Sequence, residues 1–437
     1  MQVDKITLQD IGLFDSEDHP GLASHLNFCR SNGGKFYFDQ LLGHPLSNQQ
    51  AILERQDAIS FFIEHHALLS AQKTTNGTTL VIDKFFETGF KTIPAQISMT
   101  GAVWYKYVHK NDYSLIKYSI EHLVLFITDM QEWAAVFEKH TNNPIIKKLQ
   151  ERVYKISNHP SLKIIPLNKK LDKAQVVLQL AHFFSYQYKH NIRELLSLYY
   201  EIDAFYSMST AMRHYSFQFP VWREDQKPYF KTEAAVHPLV KNAISNNLSL
   251  DANSNFLFLT GANMAGKSTF IKTIGIVIYL SHIGMGAPAK YTELTVMDGL
   301  ITNLTIADNV IKGESYFYNE VLSIKNTAEK IKDGKKYCVL IDELFKGTNI
   351  QDAMKCSAKV IEGLQKLKSS LFILSTHLYE ISENLKKYTN IQFCYFETIV
   401  KDKDLVFHYT LQKGVSNDRI GYLILEREGV VDLLDSF

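Results

Sequence analysis

The stretch Phe256-Leu257-Phe258-Leu259-Thr260-Gly261-Ala262-Asn263-Met264-Ala265-Gly266-Lys267-Ser268-Thr269 decides the fold of this chain. Its first four residues form a short apolar run suited to a buried parallel strand. Gly261 to Ser268 is the G-x-x-x-x-G-K-[ST] phosphate loop, and Thr269 through Leu280 carries a helical pattern. Strand, glycine turn and helix are the context that gives this motif meaning. Backbone N–H groups of such a turn, at the positive end of a helix, cradle phosphate oxygens. Lys267 would reach the β- and γ-phosphates of a nucleoside triphosphate, and the Ser268 hydroxyl would ligate Mg²⁺.

Downstream of Pro228 the pattern repeats. Tyr337–Ile341 and Leu371–Leu374 are short β-rich runs, each followed by turn residues and a helical stretch. That alternation predicts a mostly parallel sheet covered by helices. Lys401–Gln412 alternates more loosely and is expected to add an edge strand. The 337–341 run ends in Asp342-Glu343, two acids suited to hold a metal shell and to polarise an attacking water. Gly347-Thr348 follows, a turn expected to carry contacts between two copies. Ser375-Thr376-His377 closes the next strand, where a His can hydrogen-bond a γ-phosphate or the water. Lys312-Gly313-Glu314-Ser315-Tyr316-Phe317 is a Gly/Ser turn leading into a helix. If it faces a partner's phosphates, the site is shared across a dimer.

Before Pro228, helical signals dominate. No Gly or Pro occurs from Ala102 to Asn143, nor from Leu167 to Phe219. A helix of about forty residues would reach roughly 60 Å. Long paired helices are the expectation, with several ordinary helices joined by polar loops as the alternative. Between the two stretches, residues 139–173 hold nine Lys/Arg against Glu151 and Asp172, a net of +7. Such a segment suits either a phosphate backbone or a solvated charged face.

Composition sets outer bounds. With 437 residues, 46% apolar and 21% charged, the chain has material for two or three domains. A net charge of +1 exerts no global pull toward nucleic acid. Cys29, Cys338, Cys356 and Cys394 are scattered, which predicts reduced thiols, a cytoplasmic setting and no zinc site. The most apolar stretch, 274–284, is too short to span a bilayer.

The residues 260–269 resemble the nucleotide loop of the MutS family of DNA mismatch-repair ATPases, with the Asn-Met pair inside the loop the specific feature. Asp342-Glu343, Gly347-Thr348 and Ser375-Thr376-His377 follow that family's order and spacing. Lys312–Phe317 sits at the place of its trans signature. Gly33-Gly34, Leu41–Leu46 and Arg55–Ile59 resemble the start of its helical core, and His237-Pro238-Leu239-Val240 its entry to the ATPase domain. The resemblance implies an α+α/β architecture: a long-helix core and lever over 1–228, then an ABC-like P-loop ATPase over 229–437 with C-terminal dimerisation helices. It implies ATP and Mg²⁺ as cofactors. Gly261, Ala262, Asn263, Met264, Ala265, Gly266, Lys267, Ser268 and Thr269 would bind nucleotide, and Ser268 and Asp342 the metal. Glu343 would be the catalytic base, His377 the γ-phosphate sensor, and Ser315 the group acting on a partner's nucleotide. The expected partners are DNA, held by the helical arms, and a second copy of the chain, with no membrane.

Departures from the family pattern qualify this picture. The core-like motifs begin near Met1, so a mismatch-reading domain is expected to be absent; Phe85-Phe86-Glu87 fits its Phe-x-Glu but lies inside the core region. Ala265 replaces a loop glycine. Around 243–248 no aromatic faces the base, and Ile244 or Tyr409 is expected to substitute. The alternative function is a nucleotide-gated structural module that binds branched DNA, a protein or a ribosome without reading mismatches. An ABC transporter would need an LSGGQ-like signature that Lys312–Phe317 is not.

Overall fold

The computed structural model describes residues 1–437 except 18, 89–92, 94–95, 139–141, 165–170, 306–315, 402–403 and 417–420. The chain forms two compact units. One comprises residues 26–43 and 54–213; the other comprises 1–25, 44–53 and 214–437. The division falls at 213/214, not at the expected 228/229, and two N-terminal segments join the second unit. The cause is visible at the first helix, Lys5–Asp10. Its Asp10 Oδ2 accepts from the Thr302 hydroxyl at 2.6 Å and from the Leu304 N–H at 3.1 Å.

The first unit is helical. The 102–143 span forms two helices, Met99–Val108 and Lys110–Phe137, separated at His109. The longer has 28 residues, about 42 Å at 1.5 Å per residue. The 167–219 span holds Ala174–His182, a π-turn at Phe183–Gln187, and the 26-residue Lys189–His214. Among the described residues neither span forms a forty-residue helix. Phe62, Phe126, Phe137, Phe184 and Tyr199 are fully buried in this unit. Buried Asp203 accepts from the N–H groups of Arg30 and Ser31 and from the Ser31 hydroxyl. A Cβ on Gly34 would lie 2.1 Å from the same carboxylate, so only glycine permits this approach. Phe85 and Phe86 are buried on the helix Asn76–Glu87 and serve the core.

The second unit contains two sheets. Its strands are β1 (Val221–Arg223), β2 (Tyr229–Ala235), β3 (Asn246–Asp251), β4 (Phe256–Gly261), β5 (Tyr291–Thr295), β6 (Gly299–Asn303), β7 (Tyr337–Asp342), β8 (Leu371–Ser375), β9 (Ile391–Lys401) and β10 (Asp404–Lys413). The larger sheet has the order β10-β9-β4-β8-β7-β6. It is parallel from β6 to β9, with β10 antiparallel at the edge. The loose alternation of 401–412 thus belongs to an edge strand that starts at Asp404. Its hairpin partner β9, an interior strand, went unread in the sequence, as did the small sheet β1-β5-β2-β3. Every residue of β4 and β8 is buried, as expected of strands covered on both faces. The helix Lys267–Ile283 follows β4 and is buried on nearly all sides. Among the described residues, no helix is long and apolar enough to cross a membrane.

Candidate nucleotide site

Strand order brings the site together. β8 lies between β4 and β7, so the carboxyl ends of three neighbouring strands converge. The phosphate loop leaves β4, Asp342-Glu343 ends β7, and Ser375-Thr376-His377 ends β8. Ligands of open α/β sheets bind at such strand ends. The register pairs Asp342 with Ser375, and the Ser375 hydroxyl donates to Asp342 Oδ1. The Glu343 N–H donates to the Ser375 carbonyl at 3.0 Å, and the Thr376 N–H to the Leu259 carbonyl at 2.9 Å.

The loop itself obeys its glycines. Gly266 has φ +100, and a Cβ there would meet Tyr409 Cδ1 at 3.1 Å. Met264 has φ +67 and is largely exposed. Ala265 is buried and is not among the positive-φ residues, so the lost glycine costs no backbone strain here. Asn263, Ser268 and Thr269 face solvent at the loop, while Gly261 and Ala262 are buried.

Lys267 is buried, and its ammonium donates to the carbonyls of Gly261 at 2.9 Å and Ala262 at 3.0 Å. Burial lowers its pKa, and Glu343 and Asp342 oppose that shift. A phosphate would supply the negative charge this ammonium lacks. Glu343 sits in the left-handed region at φ +61, as does Phe345 at φ +59. Such conformations cost about 1–2 kcal/mol for a non-glycine residue and cluster at functional sites. Glu343 Oε1 lies 2.7 Å from His377 Nε2, and its Oε2 lies 3.2 Å from Lys346 Nζ. Burial pushes this carboxyl up, but His377 and Lys346 together outweigh it and hold it at about 2. Lys267 Nζ is also 3.3 Å from His377 Nε2. The 2.7 Å contact claims Nε2 as a donor to Glu343, so the longer approach is not a second hydrogen bond.

A cavity of about 520 Å³ opens beside the loop, within the range of small-molecule sites. Asn263, Met264, residues 266–269 and Glu343 line one side. His237, Ala243, Ile244, Asn246, Phe396 and Tyr409 are among the residues that line the rest. Ile244 and Tyr409, the two candidates for contact with a base, both reach this cavity. Tyr409 stands at a break in the β9–β10 register, with φ +54. Asn246 holds that break: its Nδ2 donates to the Tyr409 carbonyl at 2.9 Å, and its Oδ1 accepts from Leu411 N–H at 2.7 Å. Nothing local in the sequence marks Asn246 for this task.

The donor set fits Mg²⁺ bound with phosphate. That ion keeps waters and takes one or two protein ligands rather than a full cage. Among the described residues no group of three or more His, Cys, Asp or Glu is placed to hold a metal. Ser268 and Asp342, the pair expected from the sequence, would supply one hydroxyl and one carboxylate. Gly347 packs within its own chain: a Cβ there would lie 2.8 Å from Phe317 N and from Tyr316 Cδ1. Ser315 lies outside the described residues.

Residues 257–432 match the family model described as MutS domain V. The chain is 28% identical over 247 residues to the DNA mismatch repair protein MutS of Petrotoga mobilis, covering 56% of this chain and 30% of that protein. It is 26% identical over 249 residues to that of Bacillus cytotoxicus, covering 56% and 27%. With that of Ehrlichia ruminantium (strain Gardel) it shares 30% over 234 residues, covering 52% and 28%. The matched segments thus span under a third of the length of these curated relatives.

Proposed function

We propose, for a chain that belongs to the MutS family through residues 257–432, an ATPase that hydrolyses ATP with Mg²⁺ at a site shared by two copies and couples the cycle to DNA held by its helical unit. The observation that carries this reading is the meeting of Lys267, Glu343 and His377 at three adjacent strand ends. In this reading the N–H groups of residues 261–266 and Lys267 bind the phosphates. Ser268 and Asp342 hold Mg²⁺, which when bound neutralises phosphate charge. Glu343 accepts a proton from the attacking water, and His377 orients Glu343 and senses the γ-phosphate. Ser315 acts on the nucleotide of a second copy. Ile244 and Tyr409 take the base, with the tyrosine ring offering a stacking face.

DNA is the proposed partner because the relatives are DNA mismatch repair proteins by name. The helix Pro144–Ser157 offers the contact. Lys148 and Lys155 are exposed there, whereas Arg152 is tied to Glu194 at 3.0 Å. The test is sedimentation of Glu343→Gln with ATP and Mg²⁺, with and without duplex DNA. A nucleotide-dependent dimer that binds DNA with a steep salt dependence supports the reading. A protein that stays monomeric with bound ATP overturns the shared site. DNA affinity without preference for a mispair favours the structural module over mismatch recognition.

A further inference from the structure

Glu320 is a buried carboxylate, 2% exposed, on the helix Tyr316–Ile331. Its Oε1 accepts from the Lys346 N–H at 2.9 Å and its Oε2 from the Gly347 N–H at 3.1 Å. Each oxygen therefore takes one backbone N–H of the same turn, a geometry that fixes the turn in position and orientation. The close packing of Gly347 on Tyr316 and Phe317 presses that turn against the first turn of the helix. From this turn Lys346 extends its ammonium to within 3.2 Å of Glu343 Oε2. The other oxygen, Oε1, meets His377. Both oxygens of Glu343 are thus engaged by protein cations or donors in this state.

We propose that Glu320 is a positioning residue that restrains the ATPase: it clamps the 346–347 turn, the turn holds Lys346 on Glu343, and movement of the Tyr316–Ile331 helix frees that carboxylate for water. The inference rests on the reading of Glu343 as the group that activates water. The helix begins at the residue after Ser315, so a displacement of its start passes through Glu320 to Lys346. Lys346 is partly exposed, so its pair with Glu343 is the weaker link and the one that lets go.

The experiment measures basal ATP turnover and equilibrium ATP affinity for the full chain carrying Lys346→Met, Glu320→Gln, or both. Lys346→Met is expected to raise kcat about fivefold with ATP affinity unchanged. Glu320→Gln is expected to raise kcat in the same direction, because one carboxylate oxygen becomes an amide NH2, a donor facing the N–H it used to accept from. The double variant is expected to match Lys346→Met alone, since Glu320 acts only through Lys346. A Lys346→Met protein with unraised turnover overturns the proposal, whether or not Glu320→Gln folds. Glu320→Gln effects that persist on top of Lys346→Met also overturn it and leave Glu320 a purely structural residue. Glu343→Gln separates the two layers. If that variant still hydrolyses ATP, the reading of the base has failed. If it is inactive while Lys346→Met is unchanged from wild type, only the restraint has failed.

Discussion

At the scale of single residues, burial acts against charge throughout the second unit, and the outcome depends on the partners present. Glu343 stays charged because two neighbours outweigh desolvation, whereas Lys267 has only backbone carbonyls and distant acids. His282 shows the other outcome. It is fully buried, with Nδ1 at 2.9 Å from the Leu46 carbonyl and Nε2 accepting from Met297 N–H at 3.2 Å. That pattern needs the neutral Nδ1–H tautomer, and a second proton would point at an N–H donor. Burial depresses its pKa to about 4. The folded value lies below the unfolded value of about 6.5, so the unfolded chain binds the proton first. The contribution is present above pH 6.5 and is lost as pH falls through the window from 6.5 to 4. Denaturant melts are expected to show the wild type losing about 2 kcal/mol more than His282→Asn between pH 7 and pH 5. Parallel pH profiles for the two proteins would refute this assignment.

At the scale of elements, the β10 break is the feature that shapes the cavity. Removing the Asn246 side chain leaves the Tyr409 carbonyl and the Leu411 N–H without their partner. Asn246→Ala is expected to cost about 1–3 kcal/mol of stability and to weaken ATP binding, because the Tyr409 ring loses its seat over Gly266. Unchanged affinity measured by titration would remove Tyr409 from the base site. Other elements differ in how far sequence revealed them. β4, β7 and β8 were legible because they are buried on both faces and therefore read as apolar runs ending in turn residues. The placement of Asp342-Glu343 at the end of one such run, of His377 three residues past another and of Lys267 at the end of the loop after the first was legible with them. β9 was not, because Gln392 and Glu397 interrupt its apolar pattern. Helix breaks at His109 and Phe183–Gln187 carry neither Gly nor Pro. The second is closed by a five-residue hydrogen bond from Tyr188 N–H to the Phe183 carbonyl, a choice made by packing rather than propensity. Glu320 was invisible for the same reason: its partners are backbone groups 26 and 27 residues away.

At the scale of the molecule, the second unit carries two short helices, Gly421–Arg427 and Val430–Asp435. Leu433 and Leu434 are more than half exposed there, with Tyr422, Leu425 and Phe437 also open. In the proposed dimer this apolar surface is covered by a second copy. Leu433→Asp with Leu434→Asp is expected to shift the sedimentation of the chain to monomer while leaving ATP affinity intact. A dimer that survives both charges would place the interface elsewhere. In the proposed function, hydrolysis of ATP through Glu343 is coupled to DNA. Steady-state ATP turnover by wild type and Glu343→Gln, each with no DNA and with matched, mispaired and branched duplexes, tests that most directly. The expected result is wild-type hydrolysis whose rate changes with DNA, and a Glu343→Gln protein that binds ATP but does not turn it over under any condition. Turnover by Glu343→Gln equal to wild type would contradict the chemistry, and wild-type turnover indifferent to every duplex would contradict the coupling to DNA.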